Sequence, residues 1–256
     1  MLILRRDIMA HYSDFDKRMK RYEQVTDMYL MRRCPVIMRL DGVAFHTFTK
    51  GMKKPFDDIF RKSMQDTMLG LCKEIPGCVF GYTQSDEITL VLVDYQTLES
   101  EAWFDYRVTK LCSVGASKAA RIFNKVFMEN TAEMADEETF KKYSKKFSVA
   151  DFDCRAFNVP VDDVVNNVLW RQKDAAKNSI ASVAQSLYSQ KELNGIKSKD
   201  LKVKFLEEKG IDWDAMSPAY KWGVSCRKVD GKWTIDTEMP MLSDDRDYLG
   251  KLIRFD

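Results

Sequence analysis

Val79-Phe80-Gly81-Tyr82-Thr83-Gln84-Ser85-Asp86-Glu87-Ile88-Thr89-Leu90-Val91-Leu92-Val93 reads as two apolar runs around a short polar connection. β-Branched and aromatic residues suit a pleated, half-buried surface, so the stretch predicts a β-hairpin. The connection lacks the Asn-Gly or Asp-Gly pair of the tightest hairpins, and the reading rests on the flanking runs. Upstream, Pro35 opens a second apolar run, Val36–Leu40, which exits into Asp41-Gly42. Both runs place carboxylates at a strand end, where they can converge on a metal ion.

Outward from this pair, Asp14 to Arg32 carries Phe15, Met19, Tyr22, Val25, Met28 and Tyr29 at helical spacing. Pro35 ends that segment. Phe45–Gly51 reads as a loop. Asp57 or Asp58 can cap a helix with Phe60, Met64, Thr67, Met68 and Leu71 on its apolar face, stopped by Pro76-Gly77. Trp103 to Phe127 predicts a long helix, and Glu129 to Lys146 a polar surface excursion. Phe152 to Val159 returns as a strand. The order is then βαββαβ, an α+β arrangement of the ferredoxin-like split type, with its helices on one face. Polymerase palm domains resemble it, and so do many unrelated proteins. Asp163 to Tyr188 and Lys199 to Lys209 follow as helices, the second ending at Gly210. Lys221–Arg227 and Lys232–Asp236 are strand-like. The expected division is a palm-like core with an N-terminal helix over 1–160, and a helical and short-strand part over 161–256 packed on it.

A chain of 256 residues can bury a sizeable core. Its 41 Lys+Arg against 39 Asp+Glu leave a net charge of +2, so any basic surface must come from local segregation. Lys141-Lys142 with Lys145-Lys146, and the stretch Lys191 to Lys209, fit either solvated helix faces or an RNA surface. Cys34, Cys72, Cys78, Cys112, Cys154 and Cys226 form no C-x-x-C pair and no zinc spacing. Free thiols in apolar contexts predict a reducing cytoplasm. The apolar part of Met1–Asp7 is too short for a signal peptide, and no apolar run approaches membrane length.

Mg²⁺ wants oxygen ligands in octahedral geometry. Two such ions about 4 Å apart activate an attacking hydroxyl and neutralise a leaving pyrophosphate. Asp41 and Asp86 can supply one carboxylate each, with Glu87 near; the same residues also fit a plain turn and a solvated hairpin tip. Lys54 is a candidate for phosphate. Arg107 and Lys110, three apart on a helix, share one face and can hold phosphate oxygens, or simply face solvent. Backbone N–H groups of Gly42, Val43, Ala44 and Phe45 can form a phosphate nest or an ordinary loop. His46, between Phe45 and Phe48, reads as a packed loop residue. The absence of a Ser/His/Asp set, a metal-binding His pair, a P-loop and G-x-G-x-x-G argues against hydrolase, zinc-enzyme and dinucleotide-enzyme readings.

An ordered series carries a resemblance. Arg39-Leu40-Asp41-Gly42-Val43-Ala44-Phe45-His46, Lys54-Pro55-Phe56-Asp57 and Tyr82-Thr83-Gln84-Ser85-Asp86-Glu87 resemble the tRNA-histidine guanylyltransferase family. So do Trp103-Phe104 with Arg107 and Lys110, Phe152-Asp153-Cys154-Arg155, and Trp170-Arg171-Gln172-Lys173-Asp174. The resemblance implies a palm that adds nucleotides in the 3′–5′ direction with two Mg²⁺ ions, usually as a tetramer, on tRNA with ATP, GTP and other NTPs. It implies Asp41, the Gly42 carbonyl and Asp86 as metal ligands supported by Glu87. His46, Lys54, Asp57 and Ser85 would belong to the nucleotide and triphosphate pocket. Arg107 and Lys110 would meet phosphates of the activating nucleotide or the RNA 5′ end, and Arg155 and Asn178 would be RNA-side or structural.

Departures matter as much. Where members that extend tRNA-His carry His-Ile-Asn-Asn-Leu-Tyr-Asn, this chain has Ala176-Lys177-Asn178-Ser179-Ile180-Ala181-Ser182. Phe56 replaces the usual Asn, and Val43 a common Arg. The altered run resembles the guanylyltransferase-like branch, whose members repair 5′-truncated tRNA by template-directed addition. Non-templated guanosine addition to tRNA-His is the rival enzyme reading. An RNA-binding palm without catalysis is the other, and intact Asp41, Asp86 and Glu87 count against it.

Overall fold

The computed structural model describes residues 13–255, so the Met1–Asp7 stretch lies outside the described residues. The elements are α1 (Asp14–Gln24), β1 (Val36–Gly42), α2 (Phe45–Phe48), α3 (Asp58–Glu74), β2 (Cys78–Gln84), β3 (Glu87–Leu92), α4 (Val108–Met134) and α5 (Glu137–Tyr143). Then come β4 (Phe152–Asn158), α6 (Val161–Leu187), α7 (Gln190–Leu193), α8 (Ser198–Lys209), α9 (Pro218–Lys221), β5 (Val224–Val229), β6 (Lys232–Asp236) and α10 (Asp247–Gly250). Among the described residues the six strands form one sheet, β4-β1-β3-β2-β5-β6, antiparallel at every pairing.

The apolar runs are continuous because both faces of the central strands are covered. Val36, Met38 and Leu40 of β1, with Ile88, Leu90 and Leu92 of β3, face α3 and α4. Ile37 and Val91, with Phe80 and Tyr82 of β2, face Val164, Val165 and Val168 of α6 and Leu249 of α10. The helices α2 to α5 thus share one face, and the C-terminal segment covers the other. A third cluster joins Ile180, Val183 and Tyr188 to Leu201 and Phe205 of α8 and to Trp213. No helix among the described residues is long and apolar enough to cross a membrane.

Four expectations change, and the briefest is that Phe45–Gly51, read as a loop, opens with the short helix α2. The helix over Asp14 to Arg32 stops at Gln24. Beyond it the backbone is claimed by distant partners: Val108 N–H donates to Met28 C=O, and Leu30 N–H to Tyr106 C=O. The apolar spacing therefore outlasts the helix, and Phe15, Tyr22, Val25 and Met28 stay exposed. The long helix begins at Val108, because Phe104 and Asp105 (both φ 51°) and Tyr106 (φ 56°) adopt left-handed backbone. It then runs to Met134, and α5 follows, N-capped by Asp136. Glu129 to Lys146 is helical but lies mostly exposed, as expected of a polar surface excursion, with Asn130, Thr131 and Tyr143 as its buried anchors. The strand-like piece at Lys221–Arg227 begins only at Val224, after a helical turn over Pro218–Lys221.

Candidate active site

β1 and β3 pair so that Asp41 lies opposite Glu87, and β1 and β4 so that Asp41 lies opposite Asp153. Directly opposed residues put their side chains on one face, so three carboxylates share the α6 face at this end of the sheet. The hairpin turns at Ser85-Asp86, with Ser85 at φ 50°. Gly42 N–H donates to the Asp86 carbonyl at 3.1 Å, which ties the exit of β1 to that turn. Neither the Asp41 nor the Asp86 carboxylate accepts a hydrogen bond from any described residue. Burial pushes the Asp41 carboxyl up to about 6, and the charges of Asp86, Glu87 and Asp153 add to this; Arg155 opposes it.

Such a group is poised for a cation. Among the described residues no three His, Cys, Asp or Glu side chains gather to hold an ion by themselves. Two free carboxylates and the Gly42 carbonyl fit Mg²⁺ all the same, because that ion commonly takes one or two carboxylates and completes its shell with phosphate and water.

Glu87 is committed elsewhere. Arg171 of α6 donates from Nε to Glu87 Oε1 and from Nη2 to Oε2, both at 2.7 Å, and Nη2 also reaches Asp174 at 3.1 Å. Asn178 donates to the same Asp174 at 3.4 Å. The planar guanidinium suits a bidentate carboxylate, so Glu87 is held as a support beside Asp41.

Gly42 permits the loop that follows. A Cβ there would lie 2.3 Å from ring carbons of Phe45, which packs against Phe48, Phe60, Phe123 and Phe152. Gly42→Ala is expected to lower stability by roughly 1–3 kcal/mol, as overpacking does, and a thermal melt checks it. Ala44 at φ 55° turns the chain into α2. Val43, Ala44 and His46 are exposed, whereas the Phe45 side chain is core, leaving only its backbone to face a ligand.

A cleft of about 160 Å³ adjoins the hairpin turn. Pro55, Phe56 and Asp57, Gln84 and Ser85, Asn178 and Ser182 of α6, and Tyr220, Lys221 and Gly223 wall it. Phe56 packs on Tyr220 with ring centroids 5.1 Å apart, and Arg61 lies 3.8 Å over the Tyr220 ring. The site residues read from the sequence thus separate into groups. Ser85, Asp57 and Asn178 meet at this cleft. The Asp57 carboxylate is already spent, accepting from Phe60 N–H, Lys53 N–H and the Tyr143 hydroxyl, so it caps α3. Lys54 and Lys110 are exposed and make no ion pair among the described residues. Arg107 is bound to Asp27, through Nε at 2.7 Å and Nη2 at 2.5 Å. Arg155 stands exposed on β4, 3.8 Å from Asp153.

Asp153, Arg39, Trp170 and Arg171 stand within the motifs that carry the resemblance, but sequence reasoning assigned them no role; the structure brings them to the site. Arg39 lies opposite Arg155 in register and two residues before Asp41, on the same face. Only the even spacing of Arg39 and Asp41 along β1 hinted at it.

A family model described as Thg1: tRNAHis guanylyltransferase matches residues 16–160. A bacterial tRNA(His) guanylyltransferase (Thg1)-like protein in complex with ATP is 38% identical, with a TM-score of 0.87 over 94% of this chain and 100% of that one. A bacterial protein of the same description in complex with GTP is 34% identical, with a TM-score of 0.79 over 95% and 100%. A "Probable tRNA(His) guanylyltransferase" of Dictyostelium discoideum is 27% identical over 156 residues, 59% of this chain and 54% of that protein.

Proposed function

Because the chain belongs to the tRNA(His) guanylyltransferase family, whose members are nucleotidyltransferases, we propose that it adds nucleotides to the 5′ end of truncated tRNA in the 3′–5′ direction, guided by an opposing template base. The β4-β1-β3-β2 segment with α3 and α4 serves as a polymerase-type palm. The observation that carries the reading is the pair of uncommitted carboxylates, Asp41 and Asp86, on a strand exit and a hairpin turn tied by the Gly42 N–H to the Asp86 carbonyl, beside the cleft.

A 5′-monophosphate first attacks the α-phosphate of ATP, releasing pyrophosphate and leaving an adenylylated 5′ end. The 3′-hydroxyl of the incoming nucleotide then attacks the RNA 5′ phosphorus and expels AMP; a 5′-triphosphate end would expel pyrophosphate directly. Asp41, Asp86 and the Gly42 carbonyl would hold two Mg²⁺ ions, which when bound supply charge neutralisation at the phosphates and a more acidic attacking hydroxyl. Arg39, Arg155, Lys54 and Lys110 add positive charge for phosphate oxygens. Of the nest expected at Gly42 to Phe45, the Gly42 and Val43 N–H groups are spent on the Asp86 and Asp151 carbonyls, and those of Ala44 and Phe45 are left to offer a further cradle. Ser85 and Asn178 line the cleft, and Phe56 with Tyr220 gives it an aromatic wall for a base. ATP and GTP bound by the two bacterial relatives support these nucleotides as substrates.

Templating is favoured by Ala176, which has no polar group where other members place a His. Exposed Phe15 and Tyr22 on α1, with Val25 just beyond it, favour self-association as a homotetramer, which sedimentation would measure. The six free cysteines favour a reducing cytoplasm. The deciding experiment supplies 5′-truncated tRNA, ATP, NTPs and Mg²⁺ to folded protein. Template-matched nucleotides should appear at the 5′ end; no addition rejects the reading. Efficient guanosine addition to intact tRNA-His with A opposite would instead favour the non-templated rival.

A further inference from the structure

Trp170 is 55% exposed, although its neighbours Val168, Arg171 and Gln172 on α6 are buried. A large aromatic ring left in water beside an active site calls for a partner. The ring is braced: the Arg171 guanidinium lies 4.6 Å from its centroid and that of Arg39 lies 5.7 Å away. Arg171 is itself fixed by Glu87 and Asp174, and Arg39 by its place in β1. The result is a rigid aromatic plate flanked by positive charge, on the same sheet face as Asp41.

We propose that Trp170 stacks the base of the RNA's 5′-terminal nucleotide, an inference that rests on the function proposed above. Position selects this base. Asn178 and Ser182, which line the cleft, lie eight and twelve residues further along α6, or about 12 and 18 Å at the helical rise. A nucleotide in that cleft leaves Trp170 free. The RNA 5′ phosphate must lie at Asp41 and Asp86, and the base attached to that nucleotide is the one within reach of the indole. Arg39 and Arg155 then face the adjoining phosphates. Stacking tolerates any base, as a repair substrate of variable end demands, and contributes roughly 5- to 140-fold in affinity per base.

The test compares 5′-truncated tRNA carrying a normal or an abasic 5′-terminal nucleotide, bound to wild type, W170F and W170A at one salt concentration and read by fluorescence anisotropy. The abasic end should weaken wild-type binding about ten-fold. W170F should keep most of the affinity. W170A should lose about ten-fold for normal RNA and nothing further for abasic RNA. W170L, which still covers the arginine stems, replaces W170A if the latter melts early. Equal binding of normal RNA by the aliphatic variant and wild type, or an abasic penalty that persists in that variant, overturns the proposal. Wild-type 5′ addition is measured on the same RNA: binding without addition refutes the catalytic reading and leaves the stacking result to stand or fall by affinity alone.

Discussion

Asp41→Asn and Asp86→Asn are each expected to lower 5′ addition by on the order of 10³-fold, the effect of several kcal/mol of lost transition-state charge stabilisation. The amide keeps the shape of the carboxylate. The tie between β1 and the hairpin turn runs through the Gly42 N–H and the Asp86 carbonyl, both backbone groups, so the fold persists. Asp41→Asn carries a second expectation of opposite sign. Burial, and then Asp86, Glu87 and Asp153, raise the Asp41 carboxyl to about 6. Between the ordinary aspartate value of about 4 and that value, the folded chain holds a proton that the unfolded chain has lost. Stability from this group is therefore full below pH 4, falls as pH rises toward 6, and levels off above it. Without divalent cation, Asp41→Asn should melt above wild type at pH 8 and level with it at pH 4. Mg²⁺ should raise the wild-type melting temperature at pH 8 and leave that of Asp41→Asn nearly unmoved. An Asp41→Asn protein that still extends RNA would discard the assignment, and a melting curve indifferent to the substitution would discard the crowded-carboxylate account.

The parts of this site that sequence revealed are those set by local pattern. Val79 to Val93 alternates around a polar break, and β2 and β3 follow it with Ser85-Asp86 at the turn. Asp57 precedes an apolar helical face by the capping distance, and it caps α3. What stayed hidden depends on register between distant strands. Nothing near Asp153 says that it will lie opposite Asp41, because that pairing is decided by how β4 docks on β1 more than a hundred residues away. Arg107 looked free for phosphate on its own helix, yet Asp27, from the extended strap after α1, neutralises it. The strap was itself misread, since an apolar spacing of helical period says nothing about where the backbone donors go. Glu87 shows the same limit: its neighbours along the chain place it at a strand end, and only α6 reveals that its carboxylate belongs to Arg171.

That ion pair sets the other large expectation. Both side chains of the Arg171–Glu87 pair are about nine-tenths buried. Removing one member of a buried pair leaves the other charge without water or partner, which costs about 3–5 kcal/mol. Arg171→Met should therefore lower the melting temperature by on the order of 10 °C in a chain of this size. Adding Glu87→Gln removes the orphaned charge, so the double variant should melt above Arg171→Met alone, and the cycle of four proteins gives the coupling directly. The consequence reaches the chemistry through charge. Glu87 already raises the Asp41 carboxyl, and a Glu87 no longer neutralised by Arg171 repels the ionised Asp41 more strongly. The acid limb of the 5′-addition pH profile should then move upward in Arg171→Met, and return toward wild type in the double variant. A single variant that melts within about 2 °C of wild type and keeps its pH profile would show that Glu87 is satisfied without Arg171.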